Sequence, residues 1–286
     1  MELSNNHPTT SDWLEVLRAE ARLGEVRYAL FDFDGTISVI RHGWEQIMLA
    51  VMVESICGGR PPTPELEAEV ARYVDQSTGI LTIKQMKWLA ETVQRYGFTE
   101  ARPAMEYKRI YNERLLKPVY ARLAQLDGSQ AARDGWTIAG VRQFLQELIA
   151  RGVVLFLASG TDQEYVLQEA AALGVAELFG GRIYGAKGSS EDDSKEMVIQ
   201  RILTEQNLRG AQLLVVGDGP VEIRYARQAG ALALGVAADE TRRAGLDARK
   251  YQRLRNAGAD LMVTDFLHAA ELAARLCPPD SLGKEG

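Results

Sequence analysis

The chain has 286 residues, of which 46% are hydrophobic and 25% charged. That balance excludes a disordered, collagen-like or coiled-coil chain and leaves sequence enough for one large domain or two smaller ones with a buried core. With 33 basic and 39 acidic side chains the net charge is −6, which argues against a nucleic-acid binder driven by counterion release.

In chain order, residues 1–17 are polar and acidic, unlike a signal or transit sequence. Residues 12–23 carry an amphipathic pattern read as a helix packed on the core. VRYALFDFD (26–34) is apolar on consecutive positions, the signature of a strand covered on both faces. From 39 to 132 there is no strand pattern. The helical segments GWEQIMLAVMVESI, TPELEAEVARYVDQ, TIKQMKWLAETVQRYG and AMEYKRIYNERLLKPVYARLAQL follow one another, and GGRPPTP and GFTEARP mark turns between them.

Strands and helices then alternate. The strands are VVLFLAS (153–159), LLVVGD (213–218), ALALGVA (231–237) and DLMVT (260–264). The helices are IAGVRQFLQELIARG, EYVLQEAAALGV, KEMVIQRILTEQNL and VEIRYARQAG. This rhythm predicts an α/β fold: a doubly wound, Rossmann-like parallel sheet over residues 1–39 and 134–286, with an all-helical domain, 40–133, inserted after the first strand. The Arg-rich stretch 239–258 reads as a solvated helix. Cys57 and Cys277 stand alone, with no CxxC or Cys/His cluster for a disulfide scaffold or structural zinc. The longest apolar runs fall well short of the ~20 residues that span a bilayer, so the expectation is a soluble, cytoplasmic protein.

The chemistry concentrates at strand ends, where open α/β sheets bind ligands. FDFDGT places Asp32 and Asp34 directly after an apolar run, followed by Gly35 and Thr36. Two carboxylates there suit a Mg²⁺ site, a nucleophile with its acid/base, or both; a solvated Asx turn is the alternative. LASGT places Ser159, Gly160 and Thr161 where a strand gives way to a helix, as a phosphoryl-binding group or as a plain N-cap. GDGPVE sets Asp218 at a strand end and Glu222 four residues on, one helical turn away. Lys195 opens a helix, where a cation is electrostatically misplaced unless an anion holds it.

This ordered set resembles the haloacid dehalogenase-like hydrolases over residues 27–40 and 136–265, and the helical insertion resembles that superfamily's C1-type cap. The resemblance implies a phosphatase with Asp32 as nucleophile, Asp34 as general acid/base, Ser159 as phosphoryl holder and Lys195 as charge neutraliser. It places Mg²⁺ on Asp32, Asp218 and the Asp34 main-chain carbonyl, with Glu222 as a direct or water-mediated ligand. Lys187 competes with Lys195; the helix starting directly after Lys195 favours the latter. The implied substrate is a small phosphorylated metabolite of the phosphoglycolate or sugar-phosphate class, acted on by a monomer or homodimer, with no nucleic-acid or membrane partner. Phosphomutases, phosphonate hydrolases and a non-catalytic binding protein are the alternatives.

Within the insertion, QSTGILTIKQMKWL (76–89) offers Thr78, Gly79 and Lys84 as substrate-facing residues. The alternative is a helix capped by Ser77 or Thr78 with Lys84 in solvent. His42 and Trp44 either line the same cleft or, for Trp44, pack in the core.

Overall fold

The computed structural model describes residues 13–188 and 194–278; the polar opening, residues 1–12, lies outside these. One sheet holds β1 (Glu15–Val16), β2 (Tyr28–Phe31), β3 (Val154–Asp162), β4 (Ile183–Ala186), β5 (Leu213–Gly217), β6 (Leu232–Val236) and β7 (Leu261–Val263). The order is β1-β7-β6-β5-β2-β3-β4, and every neighbouring pair is parallel except β1 with β7. Helices α1 (Trp44–Cys57), α2 (Pro64–Gln76), α3 (Thr82–Tyr96), α4 (Ala104–Leu123) and α5 (Gln130–Asp134) are inserted between β2 and β3. The remaining helices are α6 (Val141–Ala150), α7 (Gln163–Ala172), α8 (Lys195–Glu205), α9 (Pro220–Gln228), α10 (Ala248–Ala257) and α11 (Ala269–Leu276).

The consecutive apolar runs follow from burial of both sheet faces, because successive side chains of a strand point to opposite sides. Phe31, Leu157 and Val216 join an apolar cluster with α6 and α11, whereas Leu30, Phe156 and Val215 join another with α8, α9 and α10. The insertion shares the first cluster through Met48, Met52 and Val70. Between α2 and α3, the rings of Tyr73 and Trp88 stack at 3.7 Å. Thr63 caps α2, its hydroxyl accepting from the Leu66 amide, and Pro64 occupies the first turn, at the end of the turn that GGRPPTP marks.

One expectation fails. Residues 13–23 form no helix: Glu15 and Val16 pair antiparallel with Met262 and Leu261, and Leu17 donates to the Asp260 carbonyl. The amphipathic stretch covers the otherwise bare edge of β7. The short β4 carries no strand signature in the sequence, because IYGA is only four residues long. Among the described residues no helix is long and apolar enough to cross a membrane.

Candidate active site

Sheet register brings the strand-end motifs together. Phe31 pairs with Leu157 on one side and Val216 on the other, so Asp32, Ser159 and Asp218 emerge side by side. After β2 the chain turns sharply, with the Phe33 carbonyl accepting from the amides of Thr36, Ile37 and Ser38. The turn returns Asp34 to the cavity that Asp32 also lines.

Asp32 Oδ1 accepts from the Phe33 amide at 2.8 Å and lies 2.9 Å from Lys195 Nζ. Lys195 also contacts Glu222 Oε2 at 3.1 Å, and Glu222 Oε1 accepts from the Gly219 amide. Asp34 Oδ2 accepts from Ser159 Oγ at 3.2 Å and Thr161 Oγ1 at 3.1 Å. The other Asp34 oxygen, Oδ1, is buried and makes no hydrogen bond among the described residues; Arg41 Nε stands 3.8 Å away.

Burial pushes the Asp32 carboxyl well above the ordinary carboxylate range; Lys195 opposes this, while Glu222 and Asp218 add to it. Burial likewise raises Asp34 against the pull of Arg41, Thr161 and Ser159. Lys195 is buried yet held above its ordinary value: desolvation disfavours its charge, and Asp32 and Glu222 outweigh that. The cation at the start of α8 is therefore compensated by carboxylates, as its position demanded.

Oxygens of Asp32, Asp218 and Glu222, all buried, lie within 4.8 Å of one another. Three hard carboxylate donors at that separation suit a divalent cation such as Mg²⁺. By their chemistry and spacing, these residues fit the metal that the fold implies.

The insertion closes this site. A cavity of about 60 Å³ is lined from the core by Asp32, Asp34, Ser159, Gly160, Thr161, Lys195 and Asp218, and from the insertion by Thr78, Gly79, Ile80, Thr82 and Gln85. Gly79 has φ +96°, and a Cβ there would overlap Glu222 Oε2. At Gly160 a Cβ would overlap the Ile80 carbonyl. Both glycines permit a close approach between insertion and core. Thr82 Oγ1 donates to the Gly160 carbonyl at 3.4 Å. Ser77 and Thr78 do not cap α3; both hydroxyls donate back to the Val74 carbonyl at the end of α2.

Of the other residues singled out by sequence, Gly35 lies against the Asp218 carboxylate and Thr36 is fully buried; neither lines the cavity. Lys84 is half-buried on α3 and Lys187 is exposed after β4, and both stand outside the lining. Trp44 lines the cavity, whereas His42 sits beside Glu240 at 3.5 Å.

Several residues of the site went unread. Buried Arg41 pairs with Glu169 at 2.6 Å and lines the cavity with Tyr111 and Leu115; in sequence it is one charge just after the apolar run ISVI, with nothing to say that it is buried. The Arg-rich stretch is not simply solvated. Helix α10 brings Lys250 Nζ to 2.7 Å from Asp218 Oδ2, and Arg253 donates twice to the Asp218 carbonyl, at 3.3 and 3.2 Å. The spacing of Lys250, Arg253 and Leu254 places them on one inward helix face, and the density of charge masked that face.

A mostly parallel, Rossmann-like sheet gathers its acidic strand ends around a lysine, and a helical insertion closes over them. The family model described as haloacid dehalogenase-like hydrolase matches residues 26–230, and the chain belongs to this family. Its structure is similar to that of a predicted phosphatase from Clostridium acetobutylicum, at 18% identity and a TM-score of 0.55, covering 86% of this chain and 97% of that one. A predicted phosphoglycolate phosphatase from Haemophilus somnus gives 16% and 0.55, covering 88% and 99%. A beta-phosphoglucomutase from Clostridium difficile gives 13% and 0.56, covering 86% and 93%. At these identities the likeness establishes the fold. No curated protein matches the sequence significantly.

Proposed function

We propose that this hydrolase is a Mg²⁺-dependent phosphatase that cleaves a small phosphomonoester, of the phosphoglycolate or sugar-phosphate class, through an aspartyl-phosphate on Asp32. The observation that carries the reading is the pairing of two differently held carboxylates on one cavity. Asp32 is fixed through Oδ1 by Lys195 and the Phe33 amide, and Asp34 through Oδ2 by two hydroxyls.

In the first half-reaction an Asp32 oxygen attacks phosphorus, the bond to the leaving oxygen breaks, and Asp34 donates its proton to that oxygen. In the second, Asp34 takes a proton from water, the water oxygen attacks phosphorus, and the Asp32–phosphorus bond breaks to release phosphate. The burial that raises Asp34 favours the protonated form that the first step needs. When substrate binds, Ser159 turns its hydroxyl from Asp34 to a phosphoryl oxygen, while Thr161 keeps its bond to Asp34. Lys195 offsets the charge of nucleophile and phosphate, a unit pair at 4 Å contributing about 4 kcal/mol at an effective dielectric near 20. Mg²⁺, held by Asp32, Asp218, the Asp34 carbonyl and Glu222, would supply further charge neutralisation at the phosphate.

Residues 40–133 act as a cap that selects the leaving group and excludes water, hinged near 38–42 and 133–136. The small cavity favours a small metabolite over a polymer. On this reading the protein works in the cytoplasm, as a monomer or homodimer. A phosphomutase would use the same core. Phosphate release from p-nitrophenyl phosphate and a panel of metabolite phosphates tests the reading: activity should require Mg²⁺ and vanish in Asp32→Asn. Undiminished release in that variant would refute it.

A further inference from the structure

Lys250 reaches the metal-ligand set from outside the reaction cavity. It lines a neighbouring cavity of about 190 Å³ with His42, Trp44, Glu45, Glu240 and Arg253, and Trp44 is a wall of both. Its ammonium bridges Asp218 Oδ2 and Glu240 Oε1, each at 2.7 Å, with all three side chains largely removed from solvent. Arg253 Nη2 stands 3.6 Å from the same Asp218 oxygen, and its Nη1 pairs with Glu45 and Asp75 of the insertion.

We propose that Lys250 is a positioning residue that tempers the grip of the site on its divalent cation, holding Asp218 through Oδ2 and setting a fixed positive charge behind it, with Glu240 as the counterweight. The inference rests on the Mg²⁺-dependent reading above. Lys195 already spans Asp32 and Glu222, and Lys250 occupies the remaining carboxylate, so each of the three carboxylate ligands shares its charge with an internal ammonium. A cation arriving at Asp218 meets the repulsion of Lys250 at short range in a poorly solvated setting, where Coulomb energies are least screened. Glu240, on the far side of Lys250, reduces that repulsion.

Two effects of removing Lys250 oppose each other. Loss of orientation at a ligand weakens metal binding by about 10- to 100-fold. Loss of a like charge beside a divalent ion strengthens it. The second prevails, because the repulsion of a unit charge is doubled against a divalent ion, and the Asp218 carboxylate keeps Gly35 packed against it and Arg253 Nη2 3.6 Å from Oδ2. A purely structural Lys250 would give the opposite sign.

The test is calorimetric titration of the substrate-free, full-length protein with Mn²⁺ and with Mg²⁺. Lys250→Met should bind the ion at least about tenfold tighter, and Lys250→Arg, which keeps the charge, within about threefold of wild type. Glu240→Gln, which strips the counterweight, should bind at least about threefold weaker. Unchanged or weaker binding in Lys250→Met overturns the proposal; should that variant not fold, unchanged or tighter binding in Glu240→Gln does so. Wild-type binding that is insensitive to Asp218→Asn overturns the metal reading and this inference together. Binding that depends on Asp218 but does not tighten in Lys250→Met overturns this inference alone.

Discussion

Gly79 of the helical insertion sits directly against the Glu222 carboxylate of the sheet domain, with no room for a Cβ between them. Its positive φ adds a second demand for glycine. Gly79→Ala should therefore hold the insertion off the core while leaving both folded. The expected result is a loss of about 10²-fold in kcat/KM for p-nitrophenyl phosphate, the scale of a roughly 1 Å misplacement. A variant with wild-type kinetics would show that this contact does not govern closure.

Asp34 and Asp32 should separate by function. The Asp34 side chain is bound by Ser159 and Thr161, and it is absent from the buried carboxylate group of Asp32, Asp218 and Glu222. Asp34→Asn is expected to lower kcat by about 10²- to 10⁴-fold, the usual scale of acid/base help, with little change in Mn²⁺ affinity. Equal losses in rate and affinity would make the Asp34 carboxylate, and not only its main-chain carbonyl, a metal ligand.

How much of this was legible in sequence depended on whether a signal was local. Phe31-Asp32-Phe33-Asp34 could be placed at a strand end because apolar continuity marks a doubly covered strand, and the register of that strand with its neighbours then brings Ser159 and Asp218 alongside. Lys195 was legible because a cation at a helix start needs an anion. Arg41, Lys250 and Arg253 were not, because charge alone does not say which face of a segment is buried. Their partners Glu169, Asp218 and Glu45 are distant in sequence. The stretch before β2 misled for a related reason: an amphipathic pattern serves equally well to cover a sheet edge.

Specificity should follow Gln85 more closely than Lys84. Gln85 is buried, lines the cavity and donates to Ser77 Oγ at 3.1 Å, whereas its neighbour Lys84 stands outside the lining. In Gln85→Ala, the ratio of kcat/KM for the best metabolite phosphate to that for p-nitrophenyl phosphate should change at least about tenfold, about 1.4 kcal/mol of leaving-group discrimination. In Lys84→Ala it should change less than about threefold. Comparable shifts in both variants would restore Lys84 as a substrate-facing group.

The Glu240 carboxylate ties one end of the active site to acid stability. Burial pushes it up, yet Lys250 and His42 outweigh burial and hold it at about 2, below its ordinary 4.5. A depressed carboxyl stabilises the fold in its ionised form: the contribution is complete above about pH 4.5 and disappears as the pH falls toward 2. A displacement of that size corresponds to roughly 3 kcal/mol. Glu240→Gln should therefore be less stable than wild type at pH 7, and the gap should narrow steadily below pH 4.5. Urea unfolding of both proteins at pH 7, 5, 4 and 3.5 measures it. A gap that stays constant across that range would mean that Glu240 contributes shape alone, and that the charge of Lys250 is balanced by Asp218.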